Sequence, residues 1–507
     1  MEDHECAWSD LLDSQYSGVE DEAGSRAMGE EIPTTRFLPQ DFERFSRRLQ
    51  QETQLLRQWF REGRFVEHDP VGGFELEAWL IDREQRPAPI NDRLLERLDT
   101  SLVVPELAKF NFEVNSTPQR LQGDALRRMQ AELESTWAAC RAAAAELDAD
   151  ALMIGILPTV REDELGLVNM SSLRRYRAIN DRVLQMRQGS PLRVNIAGDE
   201  RLRVTHYDVM LEAATTSFQI HLQVPQSKAA RYFNAALIVS APMVAAAANS
   251  PFLFGKDLWD ETRIPLFEQS VELDGVAAPA QMPRQRVTFG SGYVRESLEE
   301  FFVENCAAYP VLLPIELNDD SSRLSHLRLH NGTIWRWNRP LIGFDAEGRP
   351  HLRIEHRVVP SGPSAVDEIA NAAFYFGLSE FLATRTVPPE QELTFAQARD
   401  NFYAAARHGL HATVVWLDGR AVSVRNLILE ELLPMARRGL EALKVAGEDV
   451  QRYLDVIEDR VTCGCNGATW QRTYVENNGR DMRALTAAYA ACQRRGNPVH
   501  EWGVRPC

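Results

Sequence analysis

The chain has 507 residues, 44% of them hydrophobic and 25% charged, with a formal net charge of −17. These proportions are those of a soluble globular protein that is long enough for one large catalytic domain with insertions. The acidic charge argues against a general nucleic-acid binder and against docking on anionic lipid, because both need a basic surface, but it leaves room for a local nucleotide site.

The first stretch of the chain is strongly acidic. Residues 1–32 hold ten Asp or Glu and a single basic residue, Arg26. Such a composition predicts a disordered tail, which we place at residues 1–36. Residues 37–507 are expected to form a single catalytic domain with a helical C-terminal part.

Three features bear on the location of the protein. The N-terminus has neither a basic region nor an apolar core, so we expect no secretory signal. Seven scattered cysteines fit a reducing compartment better than a disulfide framework. The longest apolar run, residues 235–248, is too short for a membrane span and contains Pro242. A cytoplasmic protein without a membrane partner is therefore expected.

Helical and extended patterns are mixed along the chain, without regular strand–helix–strand alternation. Helices are predicted at residues 41–62, 91–98, 122–148, 173–188, 227–248, 295–309, 363–386, 394–408 and over most of the chain from 422 onward. Extended segments are predicted at residues 71–82, 109–114, 151–157, within 204–224, and at 326–338, 351–359 and 411–416. The mixture predicts an α+β domain with a largely antiparallel sheet.

Two acids alternate with apolar residues in the first strand, which reads VGGFELEAWLID. Side chains two apart in a strand point to the same face, so Glu75 and Glu77 stand side by side. Their carboxylates repel each other, and one would keep its proton unless a cation lay between them. A hard cation such as Mg²⁺ would remove that repulsion. Taken alone, this stretch is explained more simply by a solvated strand face or by pairing of the two acids with arginines.

Further acids and an imidazole lie on later strands or beside them. Glu113 follows Glu106 by seven residues, His221 lies in the alternating segment 217–224, and Glu355 precedes Arg357 in another. The alternative for His221 is a buried histidine that is hydrogen-bonded within the core or the sheet. The alternative for Glu355 and Arg357 is a cross-strand ion pair. Taken together, five carboxylates and one imidazole suit more than one divalent ion and an anionic nucleotide.

Several common catalytic motifs are absent from the sequence. There is no GxxxxGK[ST], no GxGxxG after a strand, no HExxH, no paired CxxC and no GxSxG. Cys463 and Cys465 form a lone CxC, which predicts a loop with free thiols, because the spacing supplies no further metal ligands.

The order of these motifs resembles the glutamate–cysteine ligase superfamily, in particular its type-2 branch of carboxylate–amine ligases. The resemblance covers about residues 71–471. The matching segments are the GxExE strand at 73–77, the acids Glu106 and Glu113, the histidine strand at 217–221, the NSP segment at 249–251 with Arg263, and the ExR strand at 354–357. One ExE is a weak signal, but the set in this order is a strong one.

The resemblance implies a glutamine synthetase-like fold, with an antiparallel sheet lined by metal-binding acids and helices packed around it. It implies two or three Mg²⁺ ions, or Mn²⁺ in their place, held by Glu75, Glu77, Glu106, Glu113, His221 and Glu355. It also gives catalytic roles to Glu75, Glu355 and Arg357, ATP contacts to Arg357 and His330, and contacts with an amino-acid substrate to Arg263, Asn115 and Thr117.

The implied activity is ATP-dependent amide formation through an acyl phosphate. Glutamate and cysteine, giving γ-glutamylcysteine for glutathione biosynthesis, are the leading small-molecule substrates. Many type-2 members carry a second histidine where this chain has Gln219, which leaves the amine substrate open. A ligase for another carboxylate or amine, a nucleotide-binding regulatory protein without turnover, and a phosphotransferase are the alternatives. The oligomeric state, including a homo-oligomer, is left open.

Overall fold

In a computed structural model, the structure describes residues 34–273 and 285–503. The predicted acidic tail, residues 1–36, lies outside the described residues except for its last three. The described part mixes helices with a largely antiparallel sheet, which confirms the predicted α+β fold class. The division into a tail and a single catalytic domain stays a prediction.

One large sheet holds eight strands, all paired antiparallel. Its strands are β1 (Val71–Asp82), β2 (Val103–Pro105), β3 (Asn111–Asn115), β4 (Gln119–Arg120), β5 (Ala149–Leu152), β8 (Ser217–Val224), β13 (Asn338–Phe344) and β14 (Pro350–Pro360). The order across the sheet is β13-β14-β8-β1-β3-β2, and β4 and β5 pair with the two ends of β1. The predicted Glu75/Glu77 strand is thus near the middle of the sheet.

Four small two-stranded sheets complete the β structure of the described residues. They are formed by β6 (Leu192–Ala197) with β7 (Arg201–His206), β9 (Phe252–Leu253) with β10 (Lys256–Asp257), β11 (Val287–Thr288) with β12 (Trp335–Arg336), and β15 (Thr413–Val415) with β16 (Ala421–Ser423). Strand β6 was not predicted from the sequence. In the structure its residues alternate strictly between buried and exposed.

The α-helices of the described part surround the large sheet. They are α1 (Pro39–Glu62), α2 (Asn91–Leu95), α3 (Ala125–Ala145), α4 (Arg174–Met186), α5 (Ala229–Ala247), α6 (Arg263–Ser270), α7 (Glu299–Ala308), α8 (Ser325–Gly332), α9 (Ala365–Thr384), α10 (Phe395–His408), α11 (Val424–Leu427), α12 (Leu433–Ala442), α13 (Gly447–Cys463), α14 (Gly467–Asn478) and α15 (Met482–Gln493). The C-terminal part is helical, as the sequence predicts.

The apolar face of the sheet packs against α9. The rings of Phe74 and Phe218 lie 5.1 Å apart on neighbouring strands, and His356 stacks on Tyr375 of α9 at 4.2 Å. A side chain at Gly72 would collide with Phe376 of the same helix, at 2.7 Å. Since this face is filled by apolar and aromatic side chains, the acids of β1 are left to the opposite face.

One helical segment among the described residues, Gln226–Ala247, is long and apolar enough to cross a membrane. The most apolar 18 residues of this segment are 89% buried inside the protein. The helix contacts β14, α9 and α10. These contacts make it a core helix of the fold, as the sequence analysis expects for residues 235–248.

The predicted extended segment 326–338 is wrong over its first half, where the chain forms α8. The alternation of Leu327 and Leu329 is too short to distinguish a strand from a helix. A stabilising contact comes from a distant helix: the Glu52 carboxylate of α1 lies 2.7 Å from His326 Nδ1 and accepts a hydrogen bond from the Leu327 backbone N–H at 2.9 Å. A carboxylate at the first turn of a helix stabilises the unpaired N–H groups there.

Candidate active site

The register of the large sheet brings the predicted acids together on one face. On β1, Glu75 lies opposite Gln219 of β8, and Glu77 lies opposite Glu113 of β3. His221 of β8 lies opposite Glu355 of β14. The acids and the imidazole form two neighbouring sets, which we call the histidine group (Glu75, His221 and Glu355) and the glutamate group (Glu77, Glu106 and Glu113).

The histidine group has the spacing of a metal site. One ligand atom from each residue lies within 4.8 Å of the others, and His221 Nε2 is 3.3 Å from Glu75 Oε1 and 3.8 Å from Glu355 Oε1. His221 is buried, and among residues 34–273 and 285–503 its Nδ1 has no hydrogen-bond partner, while its Nε2 faces the carboxylates of Glu75 and Glu355. Burial alone would raise the pKa of Glu75, but the imidazole beside it brings the pKa below its ordinary value.

Two arginines hold Glu355 in its ionised form. Arg339 donates two hydrogen bonds to its carboxylate, at 2.7 and 2.9 Å, and Arg357 donates a third at 3.1 Å. The Glu355 side chain is 0% exposed. Burial would raise the pKa of Glu355, but the two guanidinium groups together lower it far below its ordinary value. Glu355 is therefore a fixed anion, with its position set by the two hydrogen bonds from Arg339 and the single one from Arg357.

The glutamate group has an excess of negative charge. Its ligand atoms also lie within 4.8 Å of one another. Burial, and then the charge of Glu106, raise the pKa of Glu77 to about 7. Burial and the charges of Glu75, Glu106 and Glu77 raise the pKa of Glu113 well above its ordinary value, although the Asn115 amide donates to Glu113 at 2.9 Å. Three acids that oppose one another's ionisation are the arrangement that a divalent cation relieves.

Both groups fit hard divalent cations. The donors are carboxylate oxygens and one imidazole, which Mg²⁺ and Mn²⁺ accept. His221 Nε2 lies beside two carboxylates, and the acids of the glutamate group raise one another's pKa values; a bound cation would use the first arrangement and relieve the second. The predicted metal ligands are thus brought together in space, and their binding of metal stays a prediction.

A cavity of about 220 Å³ opens beside the histidine group. One part of its wall is apolar and is formed by Phe302, Leu341, Ile342 and Phe344, and another part is polar and is formed by Glu75, His221, Gln223, Arg353 and Arg328. Within the described part of the chain, Arg353 Nε has no hydrogen-bond partner. A planar aromatic group on the apolar side and an anion at the arginines would suit such a cavity.

The residues predicted to bind substrate or nucleotide differ in whether they reach the cavity. Asn115 lines the cavity. Thr117 donates from its backbone N–H to Glu132 at 2.8 Å, and its hydroxyl donates to the same carboxylate. Arg263 is 2% exposed and donates to Glu261 at 3.1 Å and to the carbonyl of Val358 at 2.6 Å. His330 is buried, with Nε2 3.0 Å from the Asn305 carbonyl oxygen.

These contacts leave Thr117, Arg263 and His330 engaged with the protein itself. Their roles in binding substrate or nucleotide stay predictions. The neighbours of His330, Arg328 and Asn331, line the cavity instead.

Three residues near the two acid groups were not predicted from the sequence as site residues. They are Arg339, Arg353 and Glu212. Arg353 shares the alternation of Glu355 and Arg357, so the period-two pattern could have found it. Arg339 has no such local signal, because only the pairing of β13 with β14 places it opposite Glu355. The Glu212 carboxyl, whose pKa is raised well above its ordinary value by burial and by Glu106 and Glu77, lies after β7 in a short 3-10 helix, Met210–Ala214.

Glu77 gives a test of cation binding that needs no substrate. Its pKa is 4.5 ordinarily and about 7 in the fold. Between these values the folded protein holds a proton that the unfolded chain has lost, so this acid makes the ion-free protein less stable as the pH rises. Mg²⁺ favours the ionised form, and the stabilisation that it gives should therefore grow over the same interval.

The measurement is the unfolding temperature from about pH 5 to about pH 8, with a chelator and with Mg²⁺. The Glu77→Gln variant is the control, because it lacks this titration and should show a smaller dependence of the Mg²⁺ effect on pH. The same pH dependence in both proteins would contradict the prediction.

Comparison with known families gives one match over most of the chain. The model of a family described as glutamate-cysteine ligase family 2 matches residues 71–489. This range includes both acid groups, Arg357 and the cavity. No curated protein is similar enough in sequence to count as a relative.

Comparison with solved structures gives distant similarities. The glutamate–cysteine ligase of Francisella tularensis in complex with AMP has 11% identity and a TM-score of 0.50, over 87% of this chain and 91% of that one. A bifunctional glutathione synthetase from Pasteurella multocida has 11% identity and a TM-score of 0.49, over 83% of this chain and 52% of that one. A complex of the ubiquitin-like protein Pup with its ligase PafA has 10% identity and a TM-score of 0.36, over 86% and 73%. At these identities the first similarity supports the fold alone.

Proposed function

The chain belongs to glutamate-cysteine ligase family 2 and is an ATP-dependent carbon–nitrogen ligase, and from this premise we propose that it joins the γ-carboxylate of glutamate to the amine of cysteine. The resemblance drawn from the ordered acids is confirmed by the family match. The single observation that carries the proposed chemistry is the pair of acid groups on one sheet face, beside a cavity that is apolar on one side and cationic on the other.

The reaction has two steps that the site would have to support. A carboxylate is a poor electrophile, because its oxygen is a poor leaving group. In the first step the γ-phosphoryl group of ATP passes to a carboxylate oxygen, giving an acyl phosphate and ADP. In the second step the amine nitrogen attacks the carbonyl carbon, phosphate leaves with the bonding electrons, and the nitrogen loses a proton. The products are an amide, ADP and phosphate.

Phosphoryl transfer needs positioning and charge neutralisation more than covalent help. We assign Mg²⁺ or Mn²⁺ to the histidine group and the glutamate group, two or three ions in all. When bound, such ions neutralise the phosphate charge and bring phosphate and acceptor carboxylate together. No protein residue is needed as a nucleophile, because the substrate carboxylate itself attacks phosphorus.

The arginines of β14 have roles that follow from their places. Arg353 would bind ATP phosphate, because it lines the cavity with an unused Nε donor. Arg357 lies beside Glu355 and is close enough to Glu77 to lower the pKa of that acid. It would therefore stabilise the charge of the transferring phosphoryl group between the two acid groups.

The adenine would lie against the apolar wall of the cavity. Phe302 and Phe344 offer aromatic surface there. The Francisella ligase in the comparison is a complex with AMP, and a nucleotide in this cavity agrees with that. Glutamate and cysteine are the proposed substrates because of the family, and a cytoplasmic location in glutathione biosynthesis belongs to the same proposal.

The test is ADP release with Mg²⁺-ATP and pooled amino acids, with and without glutamate, followed by mass analysis of the products. We expect glutamate-dependent ADP release and a γ-glutamyl amide whose mass identifies the amine. ADP release without glutamate dependence would assign a different carboxylate, including one on a peptide or protein. A phosphorylated product without an amide would indicate a phosphotransferase, and nucleotide binding without turnover would indicate a regulatory protein.

A further inference from the structure

Gln219 lies between the two acid groups and is 2% exposed. Its side-chain Nε2 donates to Glu77 Oε1 at 2.8 Å, and its Oε1 accepts a hydrogen bond from Arg357 Nη1. The orientation of the amide is fixed by its partners, because a carboxylate oxygen accepts and a guanidinium only donates. Both polar ends of this buried side chain are therefore used.

The contacts of Gln219 continue on both sides. Arg357 Nη1 also donates to Glu355 Oε2 at 3.1 Å, so a line of hydrogen bonds runs from Glu77 through Gln219 and Arg357 to Glu355. The other oxygen of Glu77 accepts from the Ser217 backbone N–H at 2.7 Å. Strand β8 thus holds both oxygens of Glu77. Of the four side chains in this line, Gln219 is the one that is not ionisable.

We infer that Gln219 is a positioning residue that sets the glutamate group and the histidine group relative to each other and holds the Arg357 guanidinium between them. The inference rests on the proposed function, because it concerns the two groups assigned to divalent ions. Gln219 itself is not assigned to an ion, since its amide already bridges Glu77 and Arg357.

The physical consequence concerns competition for Glu77. The Arg357 guanidinium is held by the Gln219 carbonyl and by Glu355. Without the Gln219 carbonyl to hold it, the guanidinium is free to pair directly with Glu77. A fixed cation on Glu77 competes with a divalent ion for the same carboxylate, so loss of the amide should weaken ion binding by the glutamate group as well as misplace Arg357.

Gln219→Met keeps the length of the side chain and removes both hydrogen bonds. Binding of Mn²⁺, followed by the paramagnetic resonance of the free ion, is the readout that needs no turnover. We expect Mn²⁺ affinity and kcat to fall by about 10–100-fold, which is the usual effect of losing a residue that orients metal ligands. At saturating metal ion, the KM for ATP should change less than kcat, because the cavity wall that would hold the adenine is untouched. Gln219→His, which keeps one donor and one acceptor, should recover part of the loss.

A matched control exists on α3. Gln130 is 8% exposed, donates to Glu134 at 2.6 Å and accepts from the Tyr453 hydroxyl at 2.7 Å. Gln130→Met loses two hydrogen bonds of a buried amide whose partners, Glu134 and Tyr453, belong to neither acid group. It should lower the unfolding temperature while leaving Mn²⁺ affinity unchanged.

Mn²⁺ affinity and kcat within twofold of wild type in Gln219→Met would overturn the inference, and so would an equal loss of Mn²⁺ affinity in Gln130→Met. If Gln219→Met does not fold, Gln219→Asn replaces it as the test. Asparagine keeps the amide but is one methylene too short to bridge Glu77 and Arg357. Unchanged Mn²⁺ affinity in Gln219→Asn would also overturn the inference. If wild type binds Mn²⁺ but releases no ADP with any amino acid, the proposed function fails while the Mn²⁺ comparison still decides the role of Gln219.

Discussion

Replacing Glu75 by glutamine should lower turnover by about three orders of magnitude while the fold stays intact. A metal ion supplies several kcal/mol of transition-state stabilisation, and each 1.4 kcal/mol is about tenfold in rate. The amide has the shape of the acid but lacks its charge, so the histidine group would be left with one anionic ligand. Stability should change little, since Glu75 has no arginine ion pair among the described residues.

The measurement is steady-state ADP release at saturating Mg²⁺-ATP, with Mn²⁺ binding as the second readout. Glu84→Gln is the matched control: this acid follows β1, and its side chain is 65% exposed beside Arg483. The control should retain wild-type turnover. Turnover of Glu75→Gln within tenfold of wild type would remove the histidine group from the mechanism.

Glu355→Gln should lose turnover as well, and it should also lower the free energy of unfolding by about 3–5 kcal/mol, which is the usual cost of breaking a buried ion pair. The reason is the two buried guanidinium groups of Arg339 and Arg357, which would keep their charges and lose their shared anion. Urea denaturation of wild type, Glu355→Gln and Glu75→Gln measures the difference, and Glu75→Gln should be much the more stable variant.

A double variant separates the ion pair from the rest of the site. Glu355→Gln with Arg339→Met removes one of the two uncompensated cations, so part of the lost stability should return while turnover stays absent. If Glu355→Gln alone is as stable as wild type, the two arginines do not depend on Glu355, and the account of this carboxylate as a fixed anion fails.

The sequence by itself determined the local parts of this site. Alternation along β1 and β14 places Glu75 with Glu77, and Glu355 with Arg357, each pair on one face of its strand, because the direction of side chains in a strand repeats every two residues. The order of the acids along the chain was sufficient to identify the family, and the mixed pattern of helices and strands was sufficient for the fold class. These features depend on neighbours in the chain, and a single sequence contains them.

Only the tertiary structure decided the partners of these residues. Arg339 reaches Glu355 through the register of β13 with β14, and Gln219 reaches Glu77 through that of β8 with β1. Segment 325–332 is a helix whose first turn is bound by Glu52, which is far away in the chain. Cross-strand register and distant hydrogen bonds depend on how the whole chain packs, and no local period of the sequence encodes them.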